Sequence, residues 1–363
     1  MRRRMRDFGL SIGLLPTGNL NAITDVDGVK VGHTTLISGN GKLIPGKGPV
    51  RTGVTAILPH EGNIFKEKLF ASCFIGNGFG KSMGLIQIKE LGTLETPIIL
   101  TNTLSVGIAA DTLVEFMLSF NEDIGVKTGT VNPVVLECND AYLNDIRGRH
   151  VKKEDVFSAI RDAKRIFEMG SVGAGTGMVC HGFKGGIGSS SRLIEISGKV
   201  YTVGALLLTN YGRMDDLIFN GRNIGRILKN EMKKKIDETK EEDDGSCIVV
   251  IATDVPLDVH GLERVAKRGI LGLARTGSFM GNGSGDIVVA FSTANRVCHY
   301  GGSIIENCAI SPHSEEINKI FLAVTEAVEE AVWDSMFTAE RIVGRDDREV
   351  PLLPVERFLE LVI

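Results

Sequence analysis

Short apolar runs separated by Gly-, Pro- and Asn-rich breaks dominate the first part of the chain. VKVGHTTL (29–36), GVTAILP (53–59), ASCFIGNG (71–78) and TPIILTN (96–102) have the length and β-branched content of strands, and turn residues bound each one. SVGIAADTLVEFMLSFNED (105–123) then shifts to helical spacing, and PVVLECND (133–140) shifts back. Residues 154–169 put Val156, Ile160, Ala163 and Ile166 on one helical face. KVYTVGALLLTN (199–210) and CIVVIATDVPL (247–257) read as strands long enough to cross a core. Residues 262–274 predict a helix, DIVVAFST (286–293) a strand, and 315–336 a long helix whose Ile317, Ile320, Val324, Ala327, Val328 and Ala331 are spaced to lie on a sheet. This mixed order predicts an α+β body in which helices cover an internal pair of packed sheets.

No Pro- or Ser-rich linker interrupts the pattern, so residues 1–363 read as one domain. The exception in character is 229–244, dense in charges of both signs, which reads as a solvated surface insertion.

Composition narrows the function classes. The chain is 43% hydrophobic and 24% charged, with a net charge of -4, and its pI is near 6.0. No global positive field favours nucleic acid, despite the basic start Met1-Arg2-Arg3-Arg4. That start lacks a sustained apolar h-region, and no run reaches the length of a membrane span, so the expected location is the cytoplasm. The six cysteines, at 73, 138, 180, 247, 298 and 308, form no CxxC, and no HxxxH or HExxH occurs. The expectation is therefore no metal and no other cofactor, with Cys73, Cys138, Cys180 and Cys247 as small buried hydrophobes.

Glycine is the outlier: 44 residues, well above the usual share of about 7%. The glycines cluster at 170–177, 185–188 and 277–285, as they do where backbone must approach closely around a site. In the third cluster, GNGSG (281–285) leads into a strand. A phosphate-binding glycine loop needs a helix N-terminus after it, which is missing here. A plain hairpin turn fits poorly as well, because a helix precedes the loop. A third reading is a bond built to break. If Gly283–Ser284 is cleaved, Ser284 becomes a strand-anchored residue bearing both a hydroxyl and a free α-amine. That amine, with a reference pKa of roughly 7.7–8.0, is a general base suited to activating a serine.

The stretch ARTGSFMGNGSGDIVVAFSTAN resembles the self-cleavage region of the L-aminopeptidase/D-esterase and β-aminopeptidase family of N-terminal-serine hydrolases. LLPTGNLNAITDVDGVKVGHTT, ECNDAYLNDIRG, GAGTGMVCHGFKGGIGSSSR, LLLTNYG and ATDVPL extend the resemblance, in order, over nearly the whole chain. It implies a four-layer α/β/β/α sandwich, like that of N-terminal nucleophile hydrolases but with different connectivity. It also implies self-cleavage into an α chain (1–283) and a β chain (284–363), and a homo-oligomer of αβ pairs. Ser284 matches the nucleophile, and Gly283 matches the residue across the scissile bond. Asn210 matches the oxyanion-stabilising asparagine, and Ser314 with Glu316 match a Ser/Glu pair that bonds the nucleophile. The same two residues also read as a helix cap. Glu137 is the expected partner of a substrate's free amino group, and Tyr142 adds a hydrogen bond to substrate or oxyanion. Lys184 and Arg192 match family positions without an assigned step. The implied activity is metal-free hydrolysis of small peptides, amides or esters through an acyl-enzyme on Ser284. The alternatives are an acyltransferase of the ornithine-acetyltransferase type, whose relatives use threonine, and an inactive binding protein on the same fold.

Overall fold

The computed structural model describes residues 3–232 and 245–363. Its strands are β1 (Lys30–Ser38), β2 (Val50–Leu58), β3 (Glu67–Gly78), β4 (Thr93–Leu94), β5 (Ile98–Asn102), β6 (Val134–Cys138), β7 (Val179–Cys180), β8 (Phe183–Lys184), β9 (Gly186–Ile196), β10 (Lys199–Asn210), β11 (Ile218–Phe219), β12 (Arg222–Asn223), β13 (Ser246–Thr253) and β14 (Gly285–Cys298). The helices are α1 (Leu85–Leu91), α2 (Val106–Leu118), α3 (Lys153–Arg161), α4 (Ile224–Met232), α5 (Val259–Arg275), α6 (Ile317–Phe337) and α7 (Val355–Val362).

Two sheets stack face to face, one ordered β1-β2-β5-β6 and the other β4-β3-β14-β13-β10-β9. Ile57, Ile98, Leu100 and Leu136 of the smaller sheet meet Leu206, Leu208, Ile248, Val250, Val289 and Phe291 of the larger one. On the outer face of the smaller sheet, Val54, Ala56, Ile99 and Val135 pack under Ala109, Leu113, Val156 and Ile160 of α2 and α3. Leu207, Val249, Ile251 and Val288 pack under α5 and α6 on the outer face of the larger sheet. The expected four-layer α/β/β/α sandwich is the observed one. Strands β13 and β10 are buried on both faces, which explains why their sequences are continuous apolar runs instead of alternating ones.

One local expectation needs correction, and one strand was not read from the sequence. The helix predicted over 154–169 ends at Arg161, because Lys164 leaves to pair with Val31 through bonds of 3.0 and 3.1 Å. Strand β9, GIGSSSRLIEI, was hidden by its small polar residues. Those residues let α6 settle on the sheet: Ser190 Oγ donates to the Ala327 carbonyl at 2.8 Å. A Cβ at Gly188 would lie 1.8 Å from the Ala331 carbonyl oxygen.

The acidic residues of α6 are buried and matched. Arg192 reaches Glu326 at 3.1 Å and Glu330 at 2.7 Å, while Arg6 reaches Glu330 at 2.6 Å and Arg4 reaches Asp334 at 2.5 Å. The basic start of the chain therefore fastens the N-terminal segment to α6, and Arg192 is a structural clamp. Of the charged stretch 229–244, Lys229 bonds Asp215 at 2.6 Å from the end of α4, and 233–244 lies outside the described residues. No helix among the described residues is long and apolar enough to cross a membrane. Replacing Gly188 by alanine forces β9 and α6 apart and is expected to cost about 1–3 kcal/mol or more, measurable as a lowered urea midpoint with an unchanged slope.

Candidate active site

β13 and β14 run parallel, with Ser246 opposite Gly285, and β10 runs antiparallel to β13, with Asn210 opposite Ser246. The starts of two strands and the end of a third therefore meet at one end of the larger sheet. Ladder partners share a face. Asn210, Ser246 and Gly285 face the gap between the sheets, in phase with Leu208, Ile248 and Ile287 of the inter-sheet core. Ser284 comes one residue before Gly285, at the same sheet end.

The side-chain amide of Asn210 is fixed at both ends. Its Oδ1 accepts the Val179 N–H at 3.0 Å, and its Nδ2 donates to the Asn139 carbonyl at 3.0 Å. This assigns the amide orientation and leaves one N–H of Nδ2 for another acceptor. The next residue after Asn139, Asp140, is a buried carboxyl that accepts from Asn144 Nδ2 at 3.0 Å. Burial pushes Asp140 up to about 7.

Ser284 is 1% exposed, and its Oγ is buried without a hydrogen-bond partner among the described residues. Its backbone is held closely. The Ser284 N–H donates to the Gly281 carbonyl at 2.9 Å, and its carbonyl accepts from Phe79 N at 3.2 Å. Asn77 reinforces this turn: its Nδ2 donates to the carbonyls of Gly281 (3.0 Å), Asn282 (3.2 Å) and Ser284. Sequence reasoning read Asn77 only as a strand-ending turn residue.

The structure adds a second Gly–Ser step. Ser246, 5% exposed, opens β13 directly after Gly245, and the Gly245 carbonyl accepts the Gly285 N–H at 3.2 Å. A Cβ at Gly245 would stand 2.2 Å from the Asn210 carbonyl oxygen, so only glycine fits there. The sequence signal was present: GSCIVVIATD repeats the glycine, serine, apolar-strand order of GSGDIVVAF. The charged stretch before it drew the reading toward a surface loop.

Glu137 comes to this end from β6. Its Oε1 accepts the Lys81 N–H at 2.8 Å, and its other oxygen accepts from Thr103 Oγ1. Gly80 separates it from the serines, since a Cβ there would lie 3.7 Å from Glu137 Oε1 and 3.8 Å from Gly285 Cα. Tyr142 is half-buried in the turn after β6, packed with Leu143, Val179 and Val350. The Arg348 guanidinium lies 5.0 Å from its ring centroid.

Ser314 and Glu316 are not at this end. Glu316 accepts from Ser197 N at 3.2 Å and Ser197 Oγ at 3.0 Å, in the turn between β9 and β10. Asn210 is at the far end of β10, roughly 35 Å away at about 3.3 Å per residue. The resemblance-based role fails on geometry, and the cap-like reading survives: Ser314 Oγ accepts the Glu316 N–H at 3.3 Å ahead of α6.

Serine hydroxyls, a side-chain amide fixed at both ends and a carboxylate stand at one end of an α/β/β/α sandwich, an arrangement that suits a serine hydrolase of the N-terminal nucleophile type. A family model described as peptidase family S58 matches residues 21–350, and the chain belongs to that family; it is an enzyme of the aminopeptidase class. It is 41% identical to the β-peptidyl aminopeptidase BapA of Sphingosinicella microcystinivorans over 97% of this chain and 89% of that protein. Among solved structures, it resembles the PH0078 protein of Pyrococcus horikoshii OT3, with a TM-score of 0.93 and 57% identity, over 99% of this chain and 98% of that one. It also resembles the L-aminopeptidase D-Ala-esterase/amidase of Ochrobactrum anthropi, a serine aminopeptidase described as a variant of the Ntn hydrolase fold. There the TM-score is 0.89 and the identity 36%, with 99% and 98% of the two chains covered.

Because Ser314 and Glu316 serve the helix entry and the β9–β10 turn, far from Asn210, Ser314→Ala and Glu316→Gln are each expected to leave kcat/KM within about twofold of the parent. Steady-state kinetics on an amino-acyl p-nitroanilide checks this, and a hundredfold loss would return them to the active site.

Proposed function

We propose that the chain cuts itself at Gly245–Ser246 and then acts as an aminopeptidase with Ser246 as nucleophile. The observation that carries this reading is the strand-end geometry. Ser246 shares a face with the oxyanion donor Asn210, and the carbonyl that precedes it is already polarised by the Gly285 N–H. Ser284, which the sequence favoured as nucleophile, is one residue out of phase with Asn210, and its buried hydroxyl is assigned a supporting role instead.

In self-cleavage, Ser246 Oγ attacks the Gly245 carbonyl carbon. The C–N bond breaks, and the hydroxyl proton passes to the departing nitrogen, which becomes the α-amine of Ser246. Water then hydrolyses the resulting ester and leaves Gly245 as a carboxylate. In turnover the same hydroxyl attacks the substrate carbonyl while the α-amine takes its proton and passes it to the leaving amine. Asn210 Nδ2 donates to the oxyanion, and water releases the acyl group. The Oγ of Ser284, which has no hydrogen-bond partner among the described residues, would bond the α-amine once it exists. Glu137 receives the free amino group of the substrate as a charge-assisted acceptor, and Tyr142 lines the same approach. Substrates are small peptides, amides or esters with a free amino end.

Assembly as a homo-oligomer of αβ pairs belongs to this proposal, supported by the solvent-facing apolar side chains of Leu14, Ile86 and Ile166. So does a cytoplasmic location, which suits the exposed free thiols of Cys298 and Cys308.

Intact-mass and N-terminal analysis of the purified protein tests the cleavage. The expected new terminus is Ser246-Cys247-Ile248, absent in Ser246→Ala. A terminus beginning Ser284-Gly285-Asp286 would overturn the assignment and restore Ser284 as nucleophile. Asn210→Ala is expected to lower kcat about 10²–10³-fold, the effect of removing one oxyanion donor, as measured on a small amino-acyl amide.

A further inference from the structure

Lys184, on the β7–β8 hairpin, is buried and takes no part in the chemistry above. Its Nζ donates to three backbone carbonyls: Gly175 at 3.1 Å, Met178 at 2.9 Å and Gly185 at 2.8 Å. Three carbonyl acceptors match the three N–H donors of an ammonium. Burial lowers Lys184 to about 7. A buried cation facing carbonyls is costly to keep unless its position matters.

One of those carbonyls leads to the active site. The Met178 carbonyl and the Val179 N–H belong to the same peptide group. Lys184 bonds that group at its oxygen, and the N–H at its other end donates to Asn210 Oδ1 at 3.0 Å. The chain runs from ammonium to peptide, from peptide to side-chain amide, and from that amide to the oxyanion. Hydrogen bonds in series polarise one another: a donor on a carbonyl oxygen makes the N–H of the same amide a stronger donor. Two amides stand in series here.

We infer that Lys184 is a positioning residue for catalysis, fixing and polarising Asn210 through the Met178–Val179 peptide so that its remaining N–H is held ready for the oxyanion. This rests on the reading of Asn210 as oxyanion donor. A lysine that only braced the hairpin would affect stability without regard to what stands at 210. A lysine acting through the peptide has no effect once the Asn210 amide is gone.

A double-mutant cycle separates the two. Lys184→Met, Asn210→Ala and the double variant are compared in the full chain for self-cleavage rate and for kcat and KM on an amino-acyl p-nitroanilide. Lys184→Met is expected to lower kcat and the self-cleavage rate about tenfold with KM within about twofold, and to change neither by more than about twofold in the Asn210→Ala background. An equal tenfold loss in both backgrounds, or a loss expressed only in KM, overturns the inference. A wild-type kcat in Asn210→Ala alone would instead overturn the oxyanion reading. Lys184→Gln, which keeps a donor and removes the charge, runs the same cycle should the methionine variant fail to fold, with an intermediate loss expected.

Discussion

The site depends on a single parallel pairing. Most ladders of the larger sheet are antiparallel, and such neighbours place their starts at opposite ends. β13 and β14 are joined through α5, so they run in the same direction and their first residues lie side by side. β10, antiparallel to both, brings its last residue to the same edge. Two Gly–Ser steps and an asparagine, distant in sequence, become neighbours for this reason. A slip of one residue in the β10–β13 ladder would turn Asn210 away from the inter-sheet face and separate it from Ser246.

The rest of the fold secures that register. Both faces of β13 are covered, with Ile248 and Val250 against the smaller sheet and Val249 and Ile251 under the helices. α6 is buried along nearly its whole length, and its acidic residues are matched by Arg4, Arg6 and Arg192. Removing one partner of such a cluster leaves an uncompensated buried charge and typically costs about 3–5 kcal/mol. These ion pairs therefore act as locks on the placement of α6, which in turn presses β9 and β10 into position.

Much of the architecture was legible in the sequence because buried strands and helices carry their periodicity openly. β10, β13, α5 and α6 stand near their expected places, and the four layers follow from them. β9 was not legible, because the Gly and Ser residues that let α6 approach look like loop residues. Asn210 and Glu137 were legible as candidate chemistry, and both lie at this end of the sheets. Ser314 and Glu316 were misassigned because a Ser-x-Glu spacing records a helix entry as readily as a catalytic pair, and only the length of β10 tells the two apart. Asn77 and Lys184 act through backbone carbonyls, which leave no trace in side-chain pattern.

The two Gly–Ser steps differ in what cleavage would leave behind. Ser246 is laddered to β10 on one side and β14 on the other, so a break before it frees a terminus whose nitrogen cannot wander. A nucleophile that is also its own base needs this rigidity, because hydroxyl and amine must keep a fixed geometry through every turnover. Ser284 sits in a turn closed by its own N–H to Gly281 and by three Asn77 contacts. Breaking the bond before it would cut that turn at its middle and loosen the carbonyls Asn77 holds. Its buried hydroxyl has no hydrogen-bond partner among the described residues, yet Gly285, the next residue, stands against Ser246. On the proposed reading, the second glycine-serine step is a support that stays intact while the first one breaks.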